Sequence, residues 1–264
     1  MDRAVLVGIN RYPGAPLMGC VNDVLDMARF VTNSAVRFNP SAVRMLTDER
    51  ATAPAILERL EWLTTGLKAG DRILFQFSGH GAQVATRNPM GEVDGLDEAL
   101  CGVTFDWTDR TMIRDKQLYE LFGRIPEGVT AMFVSDSCHS GGLTRSSTGL
   151  GGRAARVYPV PPDIGWRVES ATLRGYQINE TPYPNIALIS GSRSDQTSAD
   201  AIFSGRPSGA MTYCLIQALR EPDGLTVPLP IIVKRVQDSL AEQNFSQVPQ
   251  LEGPESMFDR PFLL

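Results

Sequence analysis

The sequence predicts an α/β fold with a mostly parallel central sheet. Two observations predict it. Short, continuous apolar runs read as strands buried on both faces, and amphipathic stretches with helical spacing lie between them. A third observation bears on function: two of the apolar runs end in small residues that surround a histidine and a cysteine.

The first run, Ala4 to Ile9, is such a strand. Asn10 to Gly19 holds two prolines and two glycines and reads as loop. Val21, Val24, Leu25, Ala28 and Val31 form a helical stripe over 21–31. Val43 to Leu46 is a short strand. Pro54 to Leu67 is a second amphipathic helix, with proline near its start, where a missing N–H costs little. Arg72 to Phe77 is a second central strand. Residues 82–98 are polar and glycine-rich, a loop or ragged hairpin. Lys116 to Phe122 is a short helix, and Thr130 to Val134 a third central strand. Ile186 to Ile189 resumes as strand, and Ala210 to Leu219 and Pro230 to Leu240 read as helices. Residues 140–184 differ from the rest. They are rich in Gly, Ser, Thr, Arg and Pro, with little periodicity, and loops of that length are usually functional or disordered.

The chain has 264 residues, within the range of one domain, and its 42% of hydrophobic residues is ample for a core. The formal net charge of −5 gives no electrostatic reason to bind nucleic acid or anionic lipid. Cys20, Cys101, Cys138 and Cys214 are spaced too widely for a zinc site or a disulfide-dense secreted fold. No apolar stretch suits a signal peptide or a membrane span. The expected setting is cytoplasmic and reduced.

The chemistry concentrates at two strand ends. The run ending at Phe77 leads into Ser78-Gly79-His80-Gly81. The run ending at Val134 leads into Ser135-Asp136-Ser137-Cys138-His139-Ser140-Gly141-Gly142. Ligands in open α/β sheets bind beyond the carboxyl ends of the strands, so neighbouring strands would bring His80 and Cys138 to one rim. A thiolate is the competent nucleophile. An adjacent imidazole can take the thiol proton and later protonate the departing amine. The flanking glycines let a substrate backbone approach and leave N–H groups free for an oxyanion. The plainer alternatives are a small core cysteine and a structural histidine. His139 is a poor base for Cys138, because adjacent side chains of an extended segment diverge.

These residues resemble a known family. FSGHGAQ at 77–83 and DSCHSGG at 136–142 look like the two catalytic motifs of metacaspases and their bacterial relatives in the caspase superfamily. The segments 8–27, 94–106, 189–201 and 209–219 resemble further parts of that family, in order. The resemblance implies a caspase-like three-layer α/β/α sandwich and a single peptidase domain. Residues 1–142 would form its large catalytic part, 143–184 a flexible linker and candidate processing segment, and 185–264 its small part. No recruitment segment is expected before the first strand.

The resemblance further implies a thiol protease that hydrolyses peptide bonds after Arg or Lys. Cys138 and His80 would be the dyad, with the N–H groups of Gly81 and Cys138 as oxyanion donors. Cys20, Asp23, Ser78 and Asp136 would line the pocket for the basic side chain. Two carboxylates there would hold a guanidinium by charge-assisted hydrogen bonds. Asp136 could also cap a following turn, and Asp23 could be a helix-start residue. The alternatives are a catalytically silent caspase-fold module that binds partners, and a caspase-fold peptidase of different preference. The expected partner is a protein or peptide with an accessible Arg or Lys; nucleic acid and membrane are not expected, and the chain is expected to be a monomer.

Many relatives use calcium. Asp94 and Asp97 match one part of that site, but the second part is only Asp115 between Arg114 and Lys116, and Arg145 stands where a last ligand would be. Calcium wants six or more oxygens, so no cofactor is required on this reading and calcium is disfavoured. The linker carries Arg145, Arg153, Arg156, Arg167 and Arg174. Arg145, Arg153 and Arg156 are candidate self-cleavage sites, with Arg153 or Arg156 preferred. The argument is that small-residue stretches expected to be exposed and flexible are nicked by proteases.

Overall fold

The computed structural model describes residues 1–85, 96–137, 154–166, 183, 185–193, 196 and 198–264. The chain opens with β1 (Asp2–Gly8), α1 (Cys20–Asn33), β2 (Val43–Thr47), α2 (Ala53–Thr64) and β3 (Arg72–Ser78). It continues through β4 (Gly81–Ala85), β5 (Leu96–Cys101), β6 (Met112–Arg114), α3 (Asp115–Phe122) and β7 (Thr130–Asp136). Then come β8 (Ala154–Ala155), a helical stretch α4 over residues 162–166, β9 (Ala187–Ser190), β10 (Ala199–Phe203) and β11 (Arg206–Gly209). The last elements are α5 (Ala210–Arg220), α6 (Leu229–Glu242) and β12 (Gln250–Glu252).

Six strands form the central sheet in the order β12-β9-β7-β3-β1-β2. All pairings are parallel except that of the edge strand β12 with β9. The apolar runs dictate this: Ala4 to Val7 and Ile73 to Phe75 have no exposed surface, as strands covered on both faces require. One helical layer contains α1, α5 and α6, with α5 packed on both others; the other contains α2 against α3. Thr52 accepts a hydrogen bond from the Ala55 amide and so caps α2, with Pro54 in its first turn. Phe75 and Phe133 stack across neighbouring strands at 4.7 Å, and Phe122 of α3 lies 5.8 Å from Phe133. Truncating one of these rings to alanine costs about 3–5 kcal/mol.

Register positions the site. Gly8 pairs with Ser78, and Ser78 with Asp136, so β1, β3 and β7 end at one level. The loop after β1, His80 and the segment after Asp136 therefore share one rim.

The expected strands and helices are present, within a few residues of their expected ends. The stretch 82–98 is in part a hairpin, since β4 pairs antiparallel with β5. The short strands β6, β10, β11 and β12 were not foreseen: each has five residues or fewer, and Arg114, Asp200, Arg206 and Glu252 interrupt their apolar pattern. The expectation of a structureless linker is corrected for residues 154–166. There β8 adds to β10 as the third strand of the β11-β10-β8 sheet, and α4 follows.

Candidate active site

His80 lies two residues past the end of β3 and is 2% exposed. Its backbone is clamped: its N–H donates to Tyr12 Oη at 3.1 Å, and its carbonyl accepts from the Cys101 N–H at 3.0 Å. Tyr12 in turn donates to the Cys101 carbonyl at 2.9 Å. His80 Nε2 lies 2.7 Å from the Ala15 carbonyl oxygen. A carbonyl only accepts, so Nε2 carries the proton and Nδ1 presents its lone pair. Nδ1 is buried and makes no hydrogen bond among the described residues. Burial lowers the His80 pKa to about 4, against the opposing pull of the Ala15 and Arg156 backbones. The imidazole is thus neutral at pH 7, ready to receive a proton at Nδ1.

Beside it lies an acidic pocket. Asp23 stands in the first turn of α1, where an acid is favoured, and is also turned into the pocket. Its Oδ1 accepts from Ser208 Oγ at 2.6 Å and the Gly209 N–H at 2.8 Å. Asp136 ends β7, and its Oδ2 accepts from the Thr212 N–H at 2.9 Å and Thr212 Oγ1 at 2.7 Å. It is therefore a cap, but of the distant helix α5 rather than of the turn that follows it. The third acid is Asp200 of β10, which accepts from the N–H groups of Met18 and Gly19 at 2.6 and 2.9 Å. All three carboxylates have no exposed surface. Cys20 is equally buried, and burial pushes its thiol pKa well up.

The occupant of this pocket is Arg156. Its side chain is fully buried. Nη2 donates to Asp23 Oδ2 at 2.7 Å and to Asp200 Oδ1 at 3.1 Å. Nη1 donates to the Asp136 carbonyl at 3.0 Å and lies 3.4 Å from Asp136 Oδ1. Burial works against its charge, but Asp136, Asp23 and Asp200 hold its pKa well above the ordinary arginine value. Gly209 makes the room: a Cβ there would lie 2.6 Å from Arg156 Nη1 and 2.7 Å from Cζ.

The backbone of Arg156 is held as tightly. Residues 154–155 pair antiparallel with Asp200 and Ala199, and the Arg156 N–H donates to the Ser198 carbonyl at 3.0 Å. The Arg156 carbonyl accepts from the Gly81 N–H at 3.2 Å, and the Tyr158 N–H donates to the Gly81 carbonyl at 3.3 Å. An added strand with one side chain in a pocket is a common way to bind a peptide. Here the peptide is the chain itself.

Of the sequence-predicted residues, the structure brings together His80, Gly81, Cys20, Asp23, Asp136 and Arg156. Ser78 is adjacent through its pairing with Asp136, but its buried hydroxyl makes no hydrogen bond among the described residues. Cys138, His139, Asp94, Arg145 and Arg153 lie outside the described residues; Cys138 is second in sequence after Asp136. The expectation that the stretch around Arg156 is exposed and flexible is corrected at that residue, because three carboxylates and Gly81 hold it buried. Asp200 was missed, although a lone acid inside the apolar stretch Ala199 to Phe203 signals a buried charge that needs a partner.

The calcium residues do not fit a cation where they are described. Asp97 ion-pairs with Arg114, and Lys116 Nζ lies 3.4 Å from its Oδ1. Asp115 Oδ1 accepts from the Lys116 N–H at 2.7 Å. A divalent ion at Asp97 would meet two positive side chains.

Comparison with known proteins agrees with this architecture. A family model described as metacaspase, peptidase C14 domain, matches residues 2–146. Metacaspase-1 of Arabidopsis thaliana is 35% identical over 235 residues, 85% of this chain and 61% of that protein. Metacaspase-2 of Trypanosoma brucei brucei is 31% identical over 281 residues, covering 99% of this chain and 76% of that one. The chain spans about three-fifths of the Arabidopsis protein and of a Coccidioides immitis metacaspase-1, at 61% and 60%. A crystal structure of a Geobacter sulfurreducens protein superposes with a TM-score of 0.69 at 25% identity, over 99% of this chain and 98% of that one. Caspase-1 from Spodoptera frugiperda shares the fold, with a TM-score of 0.62 at 13% identity over 98% and 88% of the two chains. By the matched family model and the trypanosome relative, this chain belongs to the metacaspase family of the peptidase C14 domain.

Proposed function

We propose that this chain is a cysteine endopeptidase that cuts after Arg, and more slowly after Lys, and that its first substrate is its own Arg156–Val157 bond. What carries the reading is Arg156: its guanidinium is held by Asp23, Asp136 and Asp200, while its carbonyl accepts from the Gly81 N–H beside His80. A pocket with three carboxylates attracts a guanidinium and repels an aspartate. Lysine lacks the fork that reaches several acceptors at once.

In this reading Cys138 gives its thiol proton to His80 Nδ1, and the thiolate attacks the Arg156 carbonyl carbon. The oxyanion that forms is held by the Gly81 N–H, the group that already holds the ground-state carbonyl. As the C–N bond breaks, His80 Nδ1 returns the proton to the Val157 amine. Water then attacks the thioester with His80 again as base. It releases the Arg156 carboxylate and restores the thiol. Cleavage frees both ends of the strap, which can then vacate the pocket for other substrates. The cut divides one domain rather than two, since β9 and β12 belong to the same sheet as β1, β3 and β7. No calcium is required in this scheme.

Incubation of the purified protein tests it. Mass spectrometry should find fragments 1–156 and 157–264 that stay associated. The Cys138→Ala variant should remain whole, and His80→Ala should be cut at least about a hundredfold more slowly, the usual range for a lost general base. Fluorogenic peptides differing only before the cut should rank Arg over Lys, with Asp uncut. A fully active single chain, or efficient cleavage after Asp, would refute the reading.

A further inference from the structure

We propose that the enzyme has an aromatic subsite two residues beyond the scissile bond, lined by Tyr12, Phe105 and Trp107, that selects substrates with tyrosine or another aromatic residue there. The inference rests on the reading of Arg156–Val157 as the presented bond. It concerns the other side of that bond, which the acidic pocket does not touch.

The backbone register fixes which residue reaches the slot. Gly81 bonds on both sides of Val157, its N–H to the Arg156 carbonyl and its carbonyl to the Tyr158 N–H. The catalytic strand end therefore holds the second residue after the cut as firmly as the residue before it. Tyr158 occupies the position so defined. Its ring lies edge-on to Phe105 at 5.0 Å and 75°, to Tyr12 at 5.9 Å and 75°, and to Trp107 at 6.3 Å and 77°. It also meets the His80 ring edge-on at 5.4 Å. Edge-to-face packing against several rings recognises aromatic shape, not bulk alone. The phenol hydroxyl donates to the Pro13 carbonyl at 2.6 Å.

The walls of the slot are held by contacts of their own. Phe105 is 4% exposed and packs on Trp107 at 4.9 Å. Trp107 has φ of 68°, a conformation that bulky residues rarely adopt and that surrounding structure must hold. That structure is the neighbouring Asp106, whose Oδ1 accepts from the Thr108 N–H at 3.0 Å, Thr108 Oγ1 at 2.6 Å and Thr111 Oγ1 at 2.7 Å. A tyrosine that served only the strap would need no such loop. Tyr158 is the second residue of the departing side of the cut, so self-cleavage gives the slot up to substrates.

The test uses the self-processed protein and internally quenched peptides Ala-Ala-Arg-Val-X, with X as Tyr, Phe, Leu or Ala. A coumarin amide with Arg as its last residue serves as a reporter with nothing beyond the cut. The Tyr peptide should exceed the Ala peptide in kcat/KM by about tenfold, or ~1.4 kcal/mol. Phe should stay within about threefold of Tyr, since the exposed Pro13 carbonyl can take a water instead, and Leu should resemble Ala. In Trp107→Ala the Tyr-to-Ala ratio should fall to about threefold or less, and in Trp107→Phe it should be largely kept. The substrate series on the unmodified protein does not depend on either variant folding. Tyr and Ala peptides within twofold of each other, while the coumarin reporter is cut, would overturn the subsite alone. If the reporter is not cut, the Arg-specific reading fails and the subsite falls with it.

Discussion

The Arg156→Ala variant, made in the Cys138→Ala chain so that cleavage cannot intervene, isolates the energetics of the occupied pocket. Arg156 makes hydrogen bonds to Asp23, Asp200 and the Asp136 carbonyl and lies 3.4 Å from the Asp136 carboxylate, with no exposed surface on any partner side chain. Removing one member of a buried ionic cluster leaves the others uncompensated and costs about 3–5 kcal/mol. The upper end is not reached, because the strap can lift from β10 and admit water. The β8–β10 pairing opposes that opening, and so do three further backbone hydrogen bonds, those of the Arg156 N–H, the Arg156 carbonyl and the Tyr158 N–H. Each contributes about 0.5–1.5 kcal/mol net. The expected loss is therefore about 3 kcal/mol by the same reasoning, a fall in Tm of about 6–12 °C at this chain length.

Two further readouts tie the loss to charge. The Asp23 pKa is raised chiefly by burial and pulled back by Arg156, so the variant should raise it further. A carboxyl whose folded pKa lies above its unfolded value takes up protons on folding, so its stability grows as pH falls through that window. The gap between variant and parent should narrow on acidification. Agmatine, a guanidinium amine, should also rescue the variant. At a hundred times its Kd it would restore about 2.7 kcal/mol, and the parent should not respond. Thermal unfolding by circular dichroism measures all three effects. A Tm change under 2 °C, or an equal agmatine response in both proteins, would refute the charge-matched pocket.

The acid limb of self-cleavage should lie near pH 4, because the uncut chain buries His80 beneath the strap and lowers its pKa to about 4. Release of Tyr158 and Arg156 exposes the imidazole, so the acid limb of kcat/KM for a peptide should move toward the ordinary histidine value of about 6.5; coincident limbs would show that the strap does not cover the base. Chelator or added calcium should alter self-cleavage by less than about twofold, since Asp97 is ion-paired with Arg114 and Lys116 and no cluster of three acids that could hold a metal lies among the described residues. A strict requirement restored by millimolar calcium would contradict that.

The central sheet was legible because its strands are buried on both faces. Ala4 to Val7 and Ala131 to Val134 are apolar at every position and nearly free of exposure, so no periodicity was needed to find them. The rim followed from how those strands end. The short antiparallel strands were not legible, because they are only a few residues long, carry polar residues in their runs and in part pair with segments distant in sequence. β10 is paired by β11 a few residues on and by β8 more than forty residues earlier. Asp200 was hidden for the same reason: its role exists only where Met18, Gly19 and Arg156 converge on it.

Arg156 illustrates a more general limit. The segment around it has small residues, no helical or strand period and several arginines, and a reading that looks for an apolar face finds nothing there. Yet a strap needs no apolar face. Backbone hydrogen bonds to Ser198 and Gly81 hold its path, one guanidinium anchors one side of the presented bond, and one aromatic ring anchors the other. Those are the terms on which any extended peptide binds an enzyme, since a substrate brings no fold of its own. A tethered substrate should therefore look like linker in sequence and like ligand in structure. Residues 154–158 have both properties, which is why the composition that reads as a flexible linker is compatible with a segment held at the rim beside His80 and the three acids.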